Sequence, residues 1–420
     1  MIPQKVGQAT AWFALAMIST TLFGNNYVYD SIGPVADLLQ RERGFSDTQI
    51  GMLNAIYSLP NIVLVLVGGI LADRFGAVRV ILWTAATCFL GAAITAFAPG
   101  FLGMATGRLL FGVGAETLQI ATLIPIAEYF TGKSLAFAMG LALGVGRLGS
   151  YSSDMSPTWF AASYQRGWQS PLEIATAIAA VSVIAAFGLW CISGRNRSAA
   201  PGAAPKVEKR FSFSEALRFG PAYWILVVLC VLWYGVILAF RGTFSIKYFQ
   251  HVHGLDLATA GAMNSYVFLA GMFATPAMGW LSDRTGKYAA MLAAGALLLP
   301  ISFAVLSLTS WNLWVATILI GISYSLVPAV LWPLCSKLVL PSRFGAALGM
   351  MCVIQNAGIA MANLGAGWLN DWASASAQNP SGYQPMMLFF GTASAIGFGF
   401  ALMLWLMVGR RGQNVAAIRL

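Results

Sequence analysis

The chain has 420 residues, is 58% hydrophobic and only 9% charged, and carries a formal net charge of +10 with a mean hydropathy of +0.74. A water-soluble chain carries about 25% charged residues, so this composition excludes a soluble globular domain and makes lipid the solvent. The basic balance would suit a nucleic acid, but the places where the basic residues fall exclude that partner.

A helix needs roughly 20 apolar residues to cross about 30 Å of hydrocarbon. Twelve such stretches with short connections are predicted, at 9–33, 48–72, 78–97, 101–129, 134–160, 172–192, 221–247, 258–282, 288–308, 312–337, 345–369 and 385–409. The apolar runs are continuous and lack period-two alternation, which predicts helices and not a barrel. The expected fold is an all-α integral membrane protein, with twelve transmembrane helices in two pseudo-symmetric six-helix bundles. One bundle is expected at 1–192 and the other at 221–420, with a linker at 193–220. With the N-terminus inside, 17 of the 24 Lys and Arg fall in inside loops and termini. Arg41, Arg43, Arg166 and Lys247 fall outside, and Arg108, Arg147 and Arg241 lie within spans. That asymmetry is the positive-inside rule and predicts both termini in the cytoplasm, with the chain in the inner membrane.

The first span is too long for a signal peptide and lacks a small-residue cleavage site. Tyr29 and Asp30 lie near its outer end. For Asp30 three readings stay open: a proton carrier, a wetted group at the mouth, or a partner of Arg241. The second span carries Tyr57, Pro60 and Asn61 and runs into Gly69-Ile-Leu-Ala-Asp73-Arg74-Phe-Gly76, followed by Arg79. That segment recurs 210 residues later as Gly279-Trp-Leu-Ser-Asp283-Arg284-Thr-Gly286. Gly69 and Gly279 would allow close helix approach, and Gly76 and Gly286 a sharp turn. Asp73 and Asp283 would accept from a neighbouring helix start while the arginines cross between the halves as a cytoplasmic latch. Two related bundles side by side place a cavity at their interface.

A charge at mid-bilayer costs at least about 2.5–3.5 kcal/mol, so it should face a cavity or a partner. Arg108 and Glu116 lie in the fourth span, and Arg147 lies about halfway along the fifth. Spans four and five run antiparallel, so Glu116 and Arg147 reach similar depth. Arg147 would take a substrate carboxylate and Glu116 an ammonium, or the two would simply pair with each other. Ser150, Tyr151 and Asp154 follow Arg147 on one helical face, an expected outer vestibule. The 193–220 linker is polar and basic, and Ser212 to Arg218 is expected as a short surface helix.

In the second half, Trp233 and Tyr234 occupy the middle of the seventh span, with Arg241 further out. His251 and His253 follow and are expected as a solvated loop pair without metal. Tyr324, Pro328 and Trp332 share one face of the tenth span, and Gln355 and Asn356 sit in the eleventh, where uncharged amides can bond a peptide backbone. The five cysteines lie in apolar stretches and predict buried free thiols. No catalytic triad, nucleotide motif or metal-ligand spacing occurs, so the chain is expected to be no enzyme and to need no cofactor.

The duplicated Gly-Asp-Arg-Gly segment resembles the signature between the second and third helices of the major facilitator superfamily, and Arg108-Leu-Leu-Phe-Gly-Val-Gly resembles its fourth-helix motif. The Gly-Pro of drug–proton antiporters, the sugar-porter signature and the acid–arginine signature of proton-coupled oligopeptide transporters have no counterpart. A closer similarity is to the lysosomal dipeptide transporter family of that superfamily. It is carried by Tyr29-Asp30, Tyr57-Ser-Leu-Pro60-Asn61, Arg108…Glu116, Arg147-Leu-Gly149-Ser150, Tyr324, Leu331-Trp332-Pro333 and Gln355-Asn356. The resemblance implies a dipeptide carrier using Glu116 and Arg147. It departs at Arg241, where the family is apolar, and in lacking a lysosomal sorting signal, which fits a bacterial relative. The expected partners are a small-molecule substrate, most simply a short peptide, the lipid bilayer and, if Asp30 titrates, protons. A monomer is expected to suffice, with an organic-anion symporter and a non-transporting sensor as the rival functions.

Overall fold

The computed structural model describes residues 8–61, 64, 71–72, 74–131, 133–196, 219–308, 312–340 and 343–410, and no strand occurs among them. The first span is α1 (Gln8–Asp30), and after a break at Ser31 a further helix, α2 (Ile32–Arg43), continues beyond the predicted span. Gly44, at φ +66°, closes α2 in the left-handed conformation that glycine adopts without a Cβ penalty. α3 (Asp47–Ser58) opens with a capping box in which Ser46 and Gln49 satisfy each other's backbone N–H. It stops where Leu59 and Pro60 form a turn, because proline has no N–H to continue the ladder.

The helices that follow are α4 (Ala77–Phe97), α5 (Phe101–Tyr129), α6 (Lys133–Trp159) and α7 (Gln169–Asn196). After the linker come α8 (Pro221–Ala239), a π turn at Phe240–Phe244 and α9 (Ser245–His253). Then come α10 (Leu257–Thr285), α11 (Tyr288–Leu308), α12 (Leu313–Leu338), α13 (Phe344–Trp372) and α14 (Gln384–Arg410). Eight helices among the described residues are long and apolar enough to cross a membrane. α1, α6 and α10 also have the length, at 23, 27 and 29 residues. They are also helices through which the two halves meet or line their shared seam.

The packing repeats itself. α1 packs on α6 and α7, α4 on α5 and α7, and α3 on α5. In the second set α8 packs on α13 and α14, α11 on α12 and α14, and α10 on α12. Each contact of one set has its counterpart in the other, and the two meet through α3 on α13 and α6 on α10, which are themselves a symmetric pair. This is the major facilitator arrangement of two pseudo-symmetric bundles. Small residues set the spacing, because lipid gives helices no hydrophobic reason to associate and close packing must do it. A Cβ on Gly149 of α6 would lie 2.1 Å from the Phe23 carbonyl oxygen of α1. At the corresponding place in the second set, a Cβ on Gly358 would lie 2.4 Å from the Val231 side chain.

Two expectations change here. The duplicated loops turn on glycine as expected, with Gly76 at φ +87° and Gly286 at φ +66°. Gly279, however, has nothing among the described residues within 4 Å of a built Cβ, so no close helix approach is seen there. Arg74 and Arg284 are exposed and lie over Phe75 and Trp280, at 5.4 and 5.3 Å from the ring centroids, instead of crossing between the halves. Arg79 is exposed at the start of α4. Gly69, Asp73, the linker helix expected at 212–218 and the side chain of Asp283 lie outside the described residues.

Candidate functional site

The bundle ends reached by the chain at Asp30, before α3, at the end of α6 and at the end of α13 form one face, here called distal, opposite the N-terminus of α1. The hydrogen bonds that join the halves among the described residues run from this face to the middle of the bundle. At their centre is Arg241, which sits in the π turn with its side chain 2% exposed. Its Nη1 donates to Asp30 Oδ1 at 2.9 Å, and its Nη2 donates to both oxygens of Asp154, at 3.1 and 2.9 Å. Asn264 Nδ2 adds a bond to Asp154 Oδ2 at 3.0 Å, and the Arg241 guanidinium lies 3.8 Å over the Phe268 ring. Of the readings open for Asp30, the structure has the pairing with Arg241.

The vestibule expected from Ser150, Tyr151 and Asp154 is instead part of this shut seam. Ser150 and Asp154 are buried, and Tyr151 is half-buried, edge-on to Trp159 at 6.0 Å. The polar face packs on α10, where a Cβ on Gly261 would lie 2.4 Å from the Asp154 carbonyl oxygen.

Nearer the distal surface, buried Lys247 bonds Asp47 across the halves. Asp371 accepts from the Asp47 and Thr48 N–H groups at 2.8 Å each, so a carboxylate of the second half caps the N-terminus of α3 in the first. His251 is not in a solvated loop: it is buried, with Nε2 2.8 Å from Asp37 Oδ1 and Nδ1 2.7 Å from the Tyr383 hydroxyl. Burial alone would raise the Asp37 carboxyl. The bond from His251 and the charges of His251, Arg41 and Lys247 outweigh that and hold it below its ordinary 3.8. Its charge therefore stabilises the fold above that ordinary value, and the contribution is lost as pH falls through the lowered one.

In the next layer Arg108, 1% exposed, is a hydrogen-bond hub. It donates to the carbonyls of Leu53, Val28 and Tyr29 at 3.3, 3.0 and 3.1 Å, and to Asn54 Oδ1 at 2.6 Å. Asn54 in turn donates to Thr243 at 2.7 Å, which donates to Asn363 at 2.6 Å. The hub thereby ties helix α5 to the seam.

Glu116 and Arg147 lie below that layer and do not pair with each other. Glu116 is half-buried and accepts from the Tyr57 hydroxyl at 3.3 Å, with Tyr29 edge-on to Tyr57 at 4.7 Å. Arg147 reaches from the first half to the second, 4.9 Å over the Tyr324 ring, with a buried Nη1 that has no hydrogen-bond partner. Gly271 makes room for it, since a Cβ there would lie 2.9 Å from that Nη1. Neither charge has an ion-pair partner among the described residues.

Behind Arg147 the second half presents a wall of rings. Trp233 is buried, gives its indole N–H to Ser323 at 3.0 Å and stacks on Tyr324 at 6.2 Å. It therefore backs the wall, while half-buried Tyr234 and Trp332, bonded to each other at 3.2 Å, form its nearer part. Asn61 Nδ2 donates to Asn356 Oδ1 at 3.4 Å, joining the halves in the middle, and Asn61 Oδ1 has no partner. Gln355, beside Asn356, is 9% exposed. Glu116, Tyr57, Tyr29, Arg147, Tyr324, Tyr234, Trp332, Gln355 and Asn356 thus come from both halves, whereas Ser150, Tyr151 and Asp154 belong to the seam. No group of three or more His, Cys, Asp or Glu that could hold a metal occurs among the described residues.

Asn54, Asn264, Asp47 and Asp371 were not singled out from the sequence. Asp47 and Asp371 stand just outside predicted spans, where charges are ordinary, and the asparagines are single amides in helices.

The family model described as Major Facilitator Superfamily matches residues 12–363. The chain is 28% identical to the lysosomal dipeptide transporter MFSD1 of Homo sapiens over 408 residues, covering 94% of this chain and 85% of that protein. It is 30% identical to MFSD1 of Danio rerio over 363 residues, covering 83% and 78%. A probable sulfoacetate transporter, SauU of Cupriavidus necator, is 23% identical, covering 76% and 78%. Among solved structures, a bacterial homolog of the human lysosomal transporter Spinster, inward-facing and unoccupied, superposes with a TM-score of 0.77. That match is 16% identical and covers 95% of this chain and 98% of the other, so it speaks to the fold.

Proposed function

The chain belongs to the Major Facilitator Superfamily, and from that membership we propose that this transporter moves dipeptides across the inner membrane by alternating access. The observation that carries the proposal is a pair of opposite charges, Glu116 and Arg147, neither of which has a counter-ion among the described residues. Leaving an ion unpaired inside a bilayer is expensive, so a ligand bearing both charges fits them better than one bearing either. A zwitterionic peptide places its carboxylate on the Arg147 guanidinium, whose Nη1 has no hydrogen-bond partner and which can bond a carboxylate bidentately. Its ammonium meets Glu116, and its amide can reach Asn356, Gln355 and the free Oδ1 of Asn61.

The similarity to lysosomal dipeptide transporters supports this substrate class. The inside excess of Lys and Arg supports cytoplasmic termini, which makes the distal face the outer one. On that topology the halves are bonded together outside and the site faces in. The energy comes from gradients of solute or ion, and a monomer holds the complete site.

A second reading has one observation behind it. Arg147 alone would suit an organic anion, as a relative named for sulfoacetate suggests. Uptake into proteoliposomes of labelled Ala-Ala, succinate and sulfoacetate separates the two. Saturable Ala-Ala uptake that neither acid competes is expected. Uptake of an acid without peptide flux would replace the peptide reading by the anion one.

A further inference from the structure

We propose that Asp30 and Asp154 form a proton-binding site that Arg241 fills while the distal seam is shut, so that opening this face exchanges a guanidinium for a proton. The inference rests on the alternating-access reading above but not on the identity of the solute.

The three side chains are 1–2% exposed, and they come from opposite halves: Arg241 from the second, both carboxylates from the first. One guanidinium serves two carboxylates. Asp30 Oδ2 and Arg241 Nε have no hydrogen-bond partner even with the seam shut. Any motion that parts the halves at this face must draw Arg241 away from both acids. Asn264 departs with it, because Asn264 Nδ2 also donates to the Arg241 carbonyl at 3.1 Å and its Oδ1 accepts from Ser245 at 2.8 Å. Asp154 then loses both of its donors, and Asp30 loses its one.

What remains around the acids cannot replace that cation. From α5, Arg108 is held by three carbonyls and Asn54. From α1 come Tyr27 and Tyr29, and from the short turn of helix at Ala161–Gln165 comes Tyr164, whose hydroxyl is 2.5 Å from Ser156. On the departing side, Tyr324 of α12 carries no charge, and Lys247 of α9 leaves with Arg241, because its bond to Asp47 of the first half is broken by the same motion. Two carboxylates that face a narrow opening without their shared cation take up a proton, since like charge and poor solvation both favour the neutral acid. The proton comes from the distal solution onto a carboxylate oxygen, and it returns to solution when Arg241 comes back. A single proton linked to opening changes the opening equilibrium by up to about tenfold per pH unit. Acid on the distal side therefore opens the distal face.

The histidine pair is the rival proton acceptor, because His251 also bridges the halves. The test separates them. Spin labels on Gln165→Cys and Gln378→Cys, both exposed at the distal face in different halves, report the seam by electron–electron distance measurement. The protein is a full-length, otherwise cysteine-free chain in nanodiscs, measured from pH 8 to pH 5. The expected result is a long-distance population that grows with acid by up to about tenfold per pH unit. Asp154→Asn and, as a second variant, Asp30→Asn should raise that population at pH 8 and flatten its pH dependence, while His251→Gln keeps the slope. A slope unchanged in the double Asp30→Asn, Asp154→Asn variant overturns the proposal. So does a slope lost only in His251→Gln, or a wild-type seam that ignores pH. Ala-Ala exchange at fixed pH is read in parallel: exchange with a pH-blind seam sinks the proton site alone, and a pH-driven seam without exchange sinks the peptide alone.

Discussion

Arg241→Gln is expected to destabilise the distal-closed protein by about 3–5 kcal/mol, the usual loss when one partner of a buried ion pair is removed. The reason lies in what is left behind. Asp30 and Asp154 would remain buried with one Asn264 bond between them, and an uncompensated carboxylate is far costlier than a missing attraction. Glutamine can still donate to one acid but carries no charge for either. The thermal midpoint in detergent should fall clearly below wild type. Adding Asp30→Asn and Asp154→Asn should recover most of the loss, because amides need no cation. Arg241→Lys should recover little, since a single ammonium on a flexible stem cannot copy a planar fork that meets two acids at once. If Arg241→Gln melts like wild type, the seam is not held by this network.

The second large effect falls on transport and not on folding. Arg147→Ala and Glu116→Gln should each cost about 2–5 kcal/mol of substrate binding, or between about thirtyfold and several thousandfold in affinity. Neither residue has an ion-pair partner among the described residues to abandon, so both variants should melt near wild type. This contrast with Arg241 is the point of the comparison. A charge already paired in the protein is structural, whereas a charge kept without a partner awaits one. If Arg147→Ala lowers the thermal midpoint as far as Arg241→Gln does, Arg147 is part of the scaffold and not of the site.

The twelve spans were legible because hydrophobic length is a local property, and the duplicated Asp-Arg loop was legible because a repeat needs only one chain to compare with itself. Glu116 and Arg147 stood out because charge is rare in spans. Their relation did not: matching depth left pairing open beside substrate contact, but depth says nothing about azimuth, and Arg147 turns to Tyr324 of the other half. Arg241 with Asp30 joins residues 211 positions apart, and Lys247 with Asp47 spans 200. No local periodicity encodes such contacts. The seam residues also hid in ordinary roles, as Asp47 and Asp371 look like helix-end charges and His251 like a loop residue. The break of α3 at Pro60 could be read from the proline, whereas the π turn that holds Arg241 has no sequence signature. Arg74 and Arg284 were expected to cross between the halves and instead lie on rings of their own half, because the bonds joining the halves among the described residues run only from the distal face to the middle of the bundle.

Glu116 and Arg147 are proposed to receive the two ends of one zwitterion. The direct measurement is competition against labelled Ala-Ala exchange in proteoliposomes by Ala-Ala, N-acetyl-Ala-Ala and Ala-Ala-amide. Wild type should be competed by the free peptide and by neither capped one. Glu116→Gln should narrow the gap between the free and the N-acetylated peptide, and Arg147→Ala should narrow it for the amide. Equal competition by all three peptides in wild type, or caps whose effects ignore these two residues, would contradict the account.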